Sequence, residues 1–145
     1  MFAFGNGHYY AIVINAMSAL CSAFTVLFLF WTITHLARRI LNKEMDELTR
    51  EQSIGVLFSG IIGALTFAFS DTFWFSAVEG EVYAMAIMLI ALLLWLICKW
   101  ENEFNKKDNE RWIILIFFII GLSVGVHMMC MLVIPAICLI YYPKI

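Results

Sequence analysis

The sequence predicts an all-α, polytopic transmembrane helix bundle, and two observations indicate this fold class. The chain has 145 residues, of which 63% are hydrophobic and only 14% are charged, whereas charged residues make up about 25% of a typical soluble domain. The hydrophobic residues also fall into long runs, and a helix needs about 20 such residues to cross a bilayer. We therefore expect one domain over residues 1–145, with about five helices, the last two short.

The first two predicted spans cover residues 9–36 and 53–70. Small residues recur at spacings of three and four in the first span, and the second span contains a similar series, Gly55, Ser59 and Gly63. Faces of this kind let helices approach closely in lipid. The mixed-charge segment 37–52 between the spans is typical of a solvated amphipathic helix.

The third predicted span covers residues 77–98, and the second charged connector covers 99–111. The last apolar run is too long to be one comfortable transmembrane helix. Residues that weaken or break helices lie within it, namely Gly121, Gly125 and Pro135. We therefore predict two short spans, 112–126 and 129–142, which meet near His127.

With five spans, every lysine and arginine falls on one side of the membrane, in the two connectors or after the last span. The positive-inside rule predicts that connectors 37–52 and 99–111 are cytoplasmic. The loop 71–81 and His127 then face the opposite, outer side, which has no basic residue.

The segment 71–83 contains three carboxylates, Asp71, Glu79 and Glu81. Ser76 and Glu79 have the spacing of a capping box, which predicts that the third helix starts at residue 77 and that Glu79 stabilises its first turn. Glu81 would then lie one turn inside the helix. An ionisable group is costly there, so Glu81 is the stronger functional candidate.

Other candidates in this region each have two interpretations. Asp71 is either a cap of a short interfacial helix over residues 72–75 or a site residue. Trp74 belongs to an interfacial aromatic belt or to a platform on which a sugar stacks. His127 is a satisfied buried histidine, a proton carrier or a phosphate contact.

Several site classes have no support in the sequence. It contains no P-loop, no zinc-ligand spacing, no Ser-His-Asp set and no basic patch, so we expect no nucleic-acid partner. The four cysteines lie in or beside apolar runs and are typical of packing residues. We predict no metal site and no cofactor, and the residues leave a divalent-metal requirement open.

Three segments carry a resemblance to a known family: residues 73–85 (FWFSAVEGEVYAM), 15–38 (NAMSALCSAFTVLFLFWTITHLAR) and 121–127 (GLSVGVH). They are similar to the bacterial DUF 2723 membrane family, which is related to eukaryotic protein O-mannosyltransferase-type proteins and belongs with the GT-C glycosyltransferases. The resemblance covers essentially the whole chain and implies a GT-C-like module. It implies transfer of a mannose-like sugar from a polyprenyl-phosphate donor to a protein hydroxyl on the outer face.

The resemblance also implies partners, a location and site residues. The partners are membrane lipid, the lipid-linked sugar donor and the protein acceptor. The location is the bacterial inner (plasma) membrane, with loop 71–81 and His127 periplasmic. Such enzymes use an outward-facing carboxylate as a general base, so we expect Glu81 and Glu79 at the catalytic site. The candidates for substrate binding are His127, near the lipid phosphate, Asp71, Trp74 and Tyr83.

The sequence departs from the family pattern at one point. Family members have an acidic Trp-Asp-x-Gly-Glu-Phe motif and a His-Pro-Pro-Gly motif before this region, and neither occurs here. We therefore expect a fragment that is inactive alone. The rival hypotheses are a transporter subunit that binds cations at outer-face carboxylates and a non-catalytic scaffold. A transporter typically has midplane ionisable groups and internal repeats, whereas these acids lie at the edge and no repeat is visible.

Overall fold

The computed structural model describes residues 7–41, 47–80, 82–104 and 109–142. The elements are, in order, α1 (Gly7–Ile40), α2 (Arg50–Ala68), α3 (Asp71–Val78), α4 (Tyr83–Asn102), α5 (Glu110–Val126), a 3-10 helix (Met128–Leu132) and α6 (Val133–Tyr141). No strand occurs within these ranges. The predicted all-α bundle is therefore confirmed.

Helix α1 is the central element of the bundle. It has 34 residues and is about 51 Å long, so it exceeds the roughly 30 Å hydrocarbon core of a bilayer. Helices α2 and α4 pack along it, and α3 also contacts it. Its buried face carries the small polar residues Ser18, Ser22 and Thr25, and Thr25 donates its hydroxyl to the Cys21 carbonyl at 2.9 Å. The small residues at spacings of three and four in the first span predicted such a contact face on α1.

Glycines bring α2 close to α1. A Cβ on Gly60 would lie 2.9 Å from the Phe30 ring and closer still to the Thr34 side chain, and a Cβ on Gly63 would lie 2.7 Å from Ile33 Cδ1. Gly55 has no atom within 4 Å of such a Cβ. The close helix contact is thus confirmed for Gly63, whereas Gly55 borders open space.

Helix α4 forms the hydrophobic core together with α5 and α6. Its residues Leu93 and Ile97 are completely buried. The other buried members of this cluster are Leu96, Trp100, Ile116, Ile120 and Val133. Because α4 contacts α1 on one side and α5 and α6 on the other, it joins the two halves of the described bundle.

Among the described residues, three helices are long and apolar enough to cross a membrane: Tyr9–Ile40, Arg50–Ala68 and Tyr83–Asn102. Their mean hydropathies are 2.1, 1.3 and 2.1 in that order, so the second is the least apolar. Helix α5 has 17 residues and α6 has nine, in agreement with two short final helices. These features identify a membrane protein.

The prediction of one amphipathic helix over residues 37–52 is wrong. Helix α1 continues to Ile40, and residues 48 and 49 lie outside any helix; residues 42–46 lie outside the described ranges. Helix α2 starts with a capping box, in which Thr49 Oγ1 accepts from the Gln52 backbone N–H at 3.4 Å and Gln52 Oε1 accepts from the Thr49 N–H at 3.2 Å. This local signal separates the connector from α2.

The predicted helix start at residue 77 is also wrong, as is the capping box of Ser76 and Glu79. Ser76 lies inside α3, where its hydroxyl donates to the Thr72 carbonyl at 3.1 Å, and Glu79 follows the end of α3. Helix α4 starts at Tyr83. The predicted short interfacial helix is present as α3, but its N-cap is Ser70 and Asp71 is its first residue.

Candidate functional site

The described lysines and arginines all lie at one end of the bundle, which we call the basic end. Arg38 and Arg39 end α1, Lys99 lies in the last turn of α4, and Arg50 and Arg111 lie in the first turns of α2 and α5. Helix α3, Glu79, Tyr83 and His127 lie at the opposite end, which we call the α3 end. The segregation of charge expected from the sequence is therefore present in the fold.

At the α3 end, the link between α3 and α4 is pressed against α1. The Ser18 hydroxyl donates to the Glu79 carbonyl at 3.3 Å. A Cβ on Gly80 would lie 2.8 Å from Ile14 Cγ2 and 3.2 Å from Asn15 Oδ1. Only glycine fits here without displacing these side chains, so the backbone of the link is held against α1.

The Glu79 side chain is exposed, and no ion pair involves it in the part of the chain that the structure describes. Its backbone is extended, with φ −74° and ψ 123°. Glu79 therefore precedes α4. Because Glu79 is not helical, the angle between Glu79 and Glu81 cannot be taken from helix geometry. Glu81 itself lies outside the described residues.

Tyr83 and His127 contact each other across α4 and the end of α5. Their ring centroids are 5.4 Å apart, with the planes inclined at 48°, and the Tyr83 side chain is exposed while His127 is half-buried. The two residues are 44 positions apart in the chain, so only the folded bundle brings these two predicted site residues together.

His127 interrupts the last apolar run, as the sequence predicted. Its backbone is extended, with φ −161° and ψ 133°, between α5 and the 3-10 helix. Its N–H donates to the Ser123 carbonyl at 2.9 Å, and its Nδ1 accepts from the Met129 N–H at 3.1 Å. Because Nδ1 acts as an acceptor, a neutral ring carries its proton on Nε2, and Nε2 is the nitrogen not used for capping.

Asp71 and Trp74 are exposed on α3, where the buried Phe73 contacts Phe67 with ring centroids 4.6 Å apart and the planes inclined at 43°. Within the described ranges, no hydrogen bond or ring contact joins Asp71 or Trp74 to Tyr83 or His127. Those ranges also hold no group of three His, Cys, Asp or Glu side chains that could bind a metal ion. Phe73 anchors α3, so Trp74 stays exposed to lipid or to a ligand.

The sequence reasoning missed a polar network at the basic end. Glu101 is buried and forms an ion pair with Arg39, and its Oε2 lies 3.6 Å from His35 Nε2. Asn102 Nδ2 lies 3.1 Å from His35 Nδ1, and Arg38 donates to Asn102 Oδ1 at 3.2 Å. These partners come from α1 and α4, so the pairing depends on the register of two helices. The one local sign is a carboxylate within a largely apolar helix.

The comparison with protein families agrees with these features. The family model described as the protein O-mannosyl-transferase TMEM260 N-terminal domain matches residues 1–144. No curated protein matches the chain, and no solved structure matches it. The family match spans almost the whole sequence and agrees with the O-mannosyltransferase-type resemblance of the three motif segments. The chain belongs to the family of the protein O-mannosyl-transferase TMEM260 N-terminal domain.

Proposed function

We propose that this chain is part of a membrane glycosyltransferase that transfers a mannose-like sugar from a polyprenyl-phosphate donor to a hydroxyl group of a protein acceptor. The observation that carries the proposal is the match of residues 1–144 to a protein O-mannosyl-transferase domain. The described charged residues lie near helix ends, as expected of an enzyme that acts at a membrane surface.

We place the transfer site at the α3 end. This end carries the exposed carboxylates Asp71 and Glu79, and its described elements contain no lysine or arginine. The positive-inside rule assigns the basic end to the cytoplasm, so the α3 end faces the outer compartment. In a bacterial inner membrane that compartment is the periplasm.

The reaction needs a base for the acceptor hydroxyl. In the proposed step, the acceptor oxygen bonds to the anomeric carbon of the sugar, the carbon–oxygen bond to the donor phosphate breaks, and polyprenyl phosphate leaves. A carboxylate takes the hydroxyl proton. Glu79 is exposed and has no described ion pair, so its carboxylate is accessible to an acceptor; Glu81 is proposed for the same task from the sequence.

Donor binding is proposed for the other candidates. The phenol of Tyr83 and Nε2 of His127 are hydrogen-bonding groups on two contacting rings, and both suit a phosphate oxygen. Trp74 offers an exposed ring on which a sugar can stack, and Asp71 offers a carboxylate to sugar hydroxyls. Trp74 and Asp71 lie on α3, apart from the Tyr83–His127 pair.

The test is a transfer assay in membranes from cells that express the chain alone or the complete gene that encodes it. The assay supplies lipid-linked mannose and an acceptor peptide and measures labelled peptide. We expect Glu81→Gln, or Glu79→Gln, to lower the rate by about 100-fold or more, the usual effect of losing a general base. Glu110→Gln is the control, because Glu110 is exposed in the first turn of α5 at the basic end.

Two outcomes separate the parts of the proposal. Full transfer in both Glu81→Gln and Glu81→Ala would show that Glu81 is not the base. Absence of transfer from the complete unaltered protein, with lipid-linked mannose and other lipid-linked sugars, would contradict the glycosyltransferase assignment itself.

A further inference from the structure

A groove opens between α1, α2 and α4 at the basic end, far along the helices from the α3 end. Its volume is about 480 Å³, within the range of roughly 300–1,000 Å³ typical of small-molecule sites. Toward the middle of the bundle its lining includes Trp31, Leu57 and Trp95, and toward the helix ends it includes Arg38, Lys99 and Asn102. The groove is therefore amphipathic along its length.

This change in polarity follows the helix axes. Trp31 and Arg38 on α1, like Trp95 and Asn102 on α4, are separated by seven residues, or about 10 Å of helix. Helices α1 and α4 run in the same direction, because their C-terminal ends meet in the Arg38–Asn102 bond. The Trp31 and Trp95 ring centroids are 5.3 Å apart, so the two rings form one continuous apolar wall. The cationic mouth of the groove, with Arg38 and Lys99, lies closer to the helix ends.

The charges of the lining favour an anion. Among the described residues, two cationic side chains and no carboxylate line the groove. Glu101 lies outside the lining and pairs with Arg39, and Glu103, also outside it, pairs with Lys99 at 3.4 Å.

Arg38 lies at the mouth of the groove, where its described contacts include bonds at 3.2 Å to Asn102 Oδ1 and 3.4 Å to His35 Nδ1. A guanidinium has five N–H donors and an ammonium has three. Bonds to a phosphate are therefore compatible with the contacts that position Arg38 and Lys99.

We propose that this groove binds an anionic phospholipid, with its phosphate between Arg38 and Lys99 and an acyl chain against Trp31, Leu57 and Trp95. A free anion would use only the mouth, whereas the apolar wall matches a chain in the hydrocarbon region. Basic pockets between transmembrane helices are known to suit anionic head groups. The lipid site is separate from the proposed transfer site and does not depend on that function.

The experiment uses quenching of tryptophan fluorescence by brominated lipids. The protein is reconstituted in phosphatidylcholine vesicles that contain a small fraction of either brominated phosphatidylglycerol or brominated phosphatidylcholine. We expect stronger quenching by the brominated phosphatidylglycerol at equal mole fraction. This excess should disappear in the double variant Trp31→Phe/Trp95→Phe, which removes the two fluorophores of the groove.

Charge variants test the head-group contact. Arg38→Gln/Lys99→Gln should weaken the preference for phosphatidylglycerol by about 30-fold, or about fivefold for each cation. The matched control is Arg50→Gln/Arg111→Gln, which removes the same charge from the basic end outside the groove lining. The control should keep most of the preference. If the glutamine double variant does not fold, competition in the unaltered protein replaces it: unlabelled phosphatidylglycerol should relieve the quenching, and unlabelled phosphatidylcholine should not.

Three results would overturn the proposal. Equal quenching by the two brominated lipids would show that the head group is not recognised. An equal loss of preference in both charge variants would indicate diffuse attraction to the membrane surface. Relief of the quenching by inorganic phosphate would indicate a site for a free anion that needs no acyl chain.

Discussion

The two ends of the bundle are held together by different kinds of contact. At the basic end, side chains of α1 and α4 pair with each other, as in the Arg39–Glu101 ion pair and the Arg38–Asn102 hydrogen bond. At the α3 end, the contacts to α1 involve the backbone of Glu79 and the missing side chain of Gly80. The carboxylate of Glu79 is left in solvent.

This difference separates structural from functional polar groups. A buried carboxylate in an ion pair between two helices is committed to joining them, and removal of either member of the pair is costly. A carboxylate whose backbone alone is fixed has a defined position and a free side chain. The chain thus holds the backbone of Glu79 in place and leaves its carboxylate exposed. Three of the four substitutions below test this contrast, and Gly60→Ala tests the contact between α1 and α2.

Glu101→Gln should have the largest effect on stability. It removes the charge that compensates Arg39 and lies near His35. We expect a loss of about 2 kcal/mol in the free energy of unfolding, below the roughly 3–5 kcal/mol of a fully buried pair, because the Arg39 side chain is half exposed. Thermal unfolding in detergent measures this, with Glu110→Gln as the exposed control. An unchanged midpoint would show that the basic end is not held by this pair.

Gly60→Ala should cost about 1.5 kcal/mol, since overpacking typically costs about 1–3 kcal/mol. The added methyl group would press on Phe30 and Thr34 and push α2 away from α1. Gly55→Ala is the matched control in the same helix, where the new Cβ meets nothing within 4 Å. The same unfolding measurement should find the control neutral or slightly stabilised. Equal effects of the two substitutions would contradict the observed α1–α2 contact.

Ser18→Ala should cost only about 0.6 kcal/mol, the average for an interhelical hydrogen bond in a membrane protein. It removes the hydroxyl that donates to the Glu79 carbonyl. The control is Ser59→Ala, whose hydroxyl donates within its own helix to the Val56 carbonyl. Protease cleavage near residue 79 provides a second readout, which should accelerate for Ser18→Ala only. Unchanged cleavage would mean that Ser18 does not hold the link.

Glu79→Gln should have the smallest effect on stability, within about 0.5 kcal/mol of the unaltered protein, as is usual for exposed positions. It is the same chemical change as Glu101→Gln, made at the other end of the bundle. Circular dichroism and thermal unfolding check this directly. A loss comparable to that of Glu101→Gln would show that Glu79 is a structural residue, and any loss of sugar transfer would then need that explanation.

The sequence was sufficient for features that depend on local composition. The long apolar runs predicted the helices, and Gly121, Gly125 and Pro135 predicted the break that the structure has at His127. The sequence was insufficient where one pattern fits either the end of one helix or the start of the next. The Ser-x-x-Glu spacing of residues 76 and 79 occurs at the C-terminal end of α3 and not at the start of α4.

Contacts between distant helices were beyond local reasoning. The sequence predicts that Arg38 and Arg39 lie in a solvated connector, yet both belong to α1, and Arg39 pairs with a residue of α4. The ring contact of Tyr83 with His127 likewise depends on how α5 and the 3-10 helix pack against α4. The sequence context predicts Tyr83 and His127 as site residues, but only the fold brings the two rings together.

The low mean hydropathy of α2 has a consequence for biogenesis. At 1.3, against 2.1 for the spans formed by α1 and α4, this segment is the least able of the three to partition into lipid unaided. Its Gly60–Gly63 face matches α1, and α1 is synthesised first. When α2 leaves the ribosome, α1 has already been synthesised, so we expect α1 to assist the membrane entry of α2. Changes that widen the α1–α2 contact should therefore lower the yield of inserted protein as well as its stability once inserted.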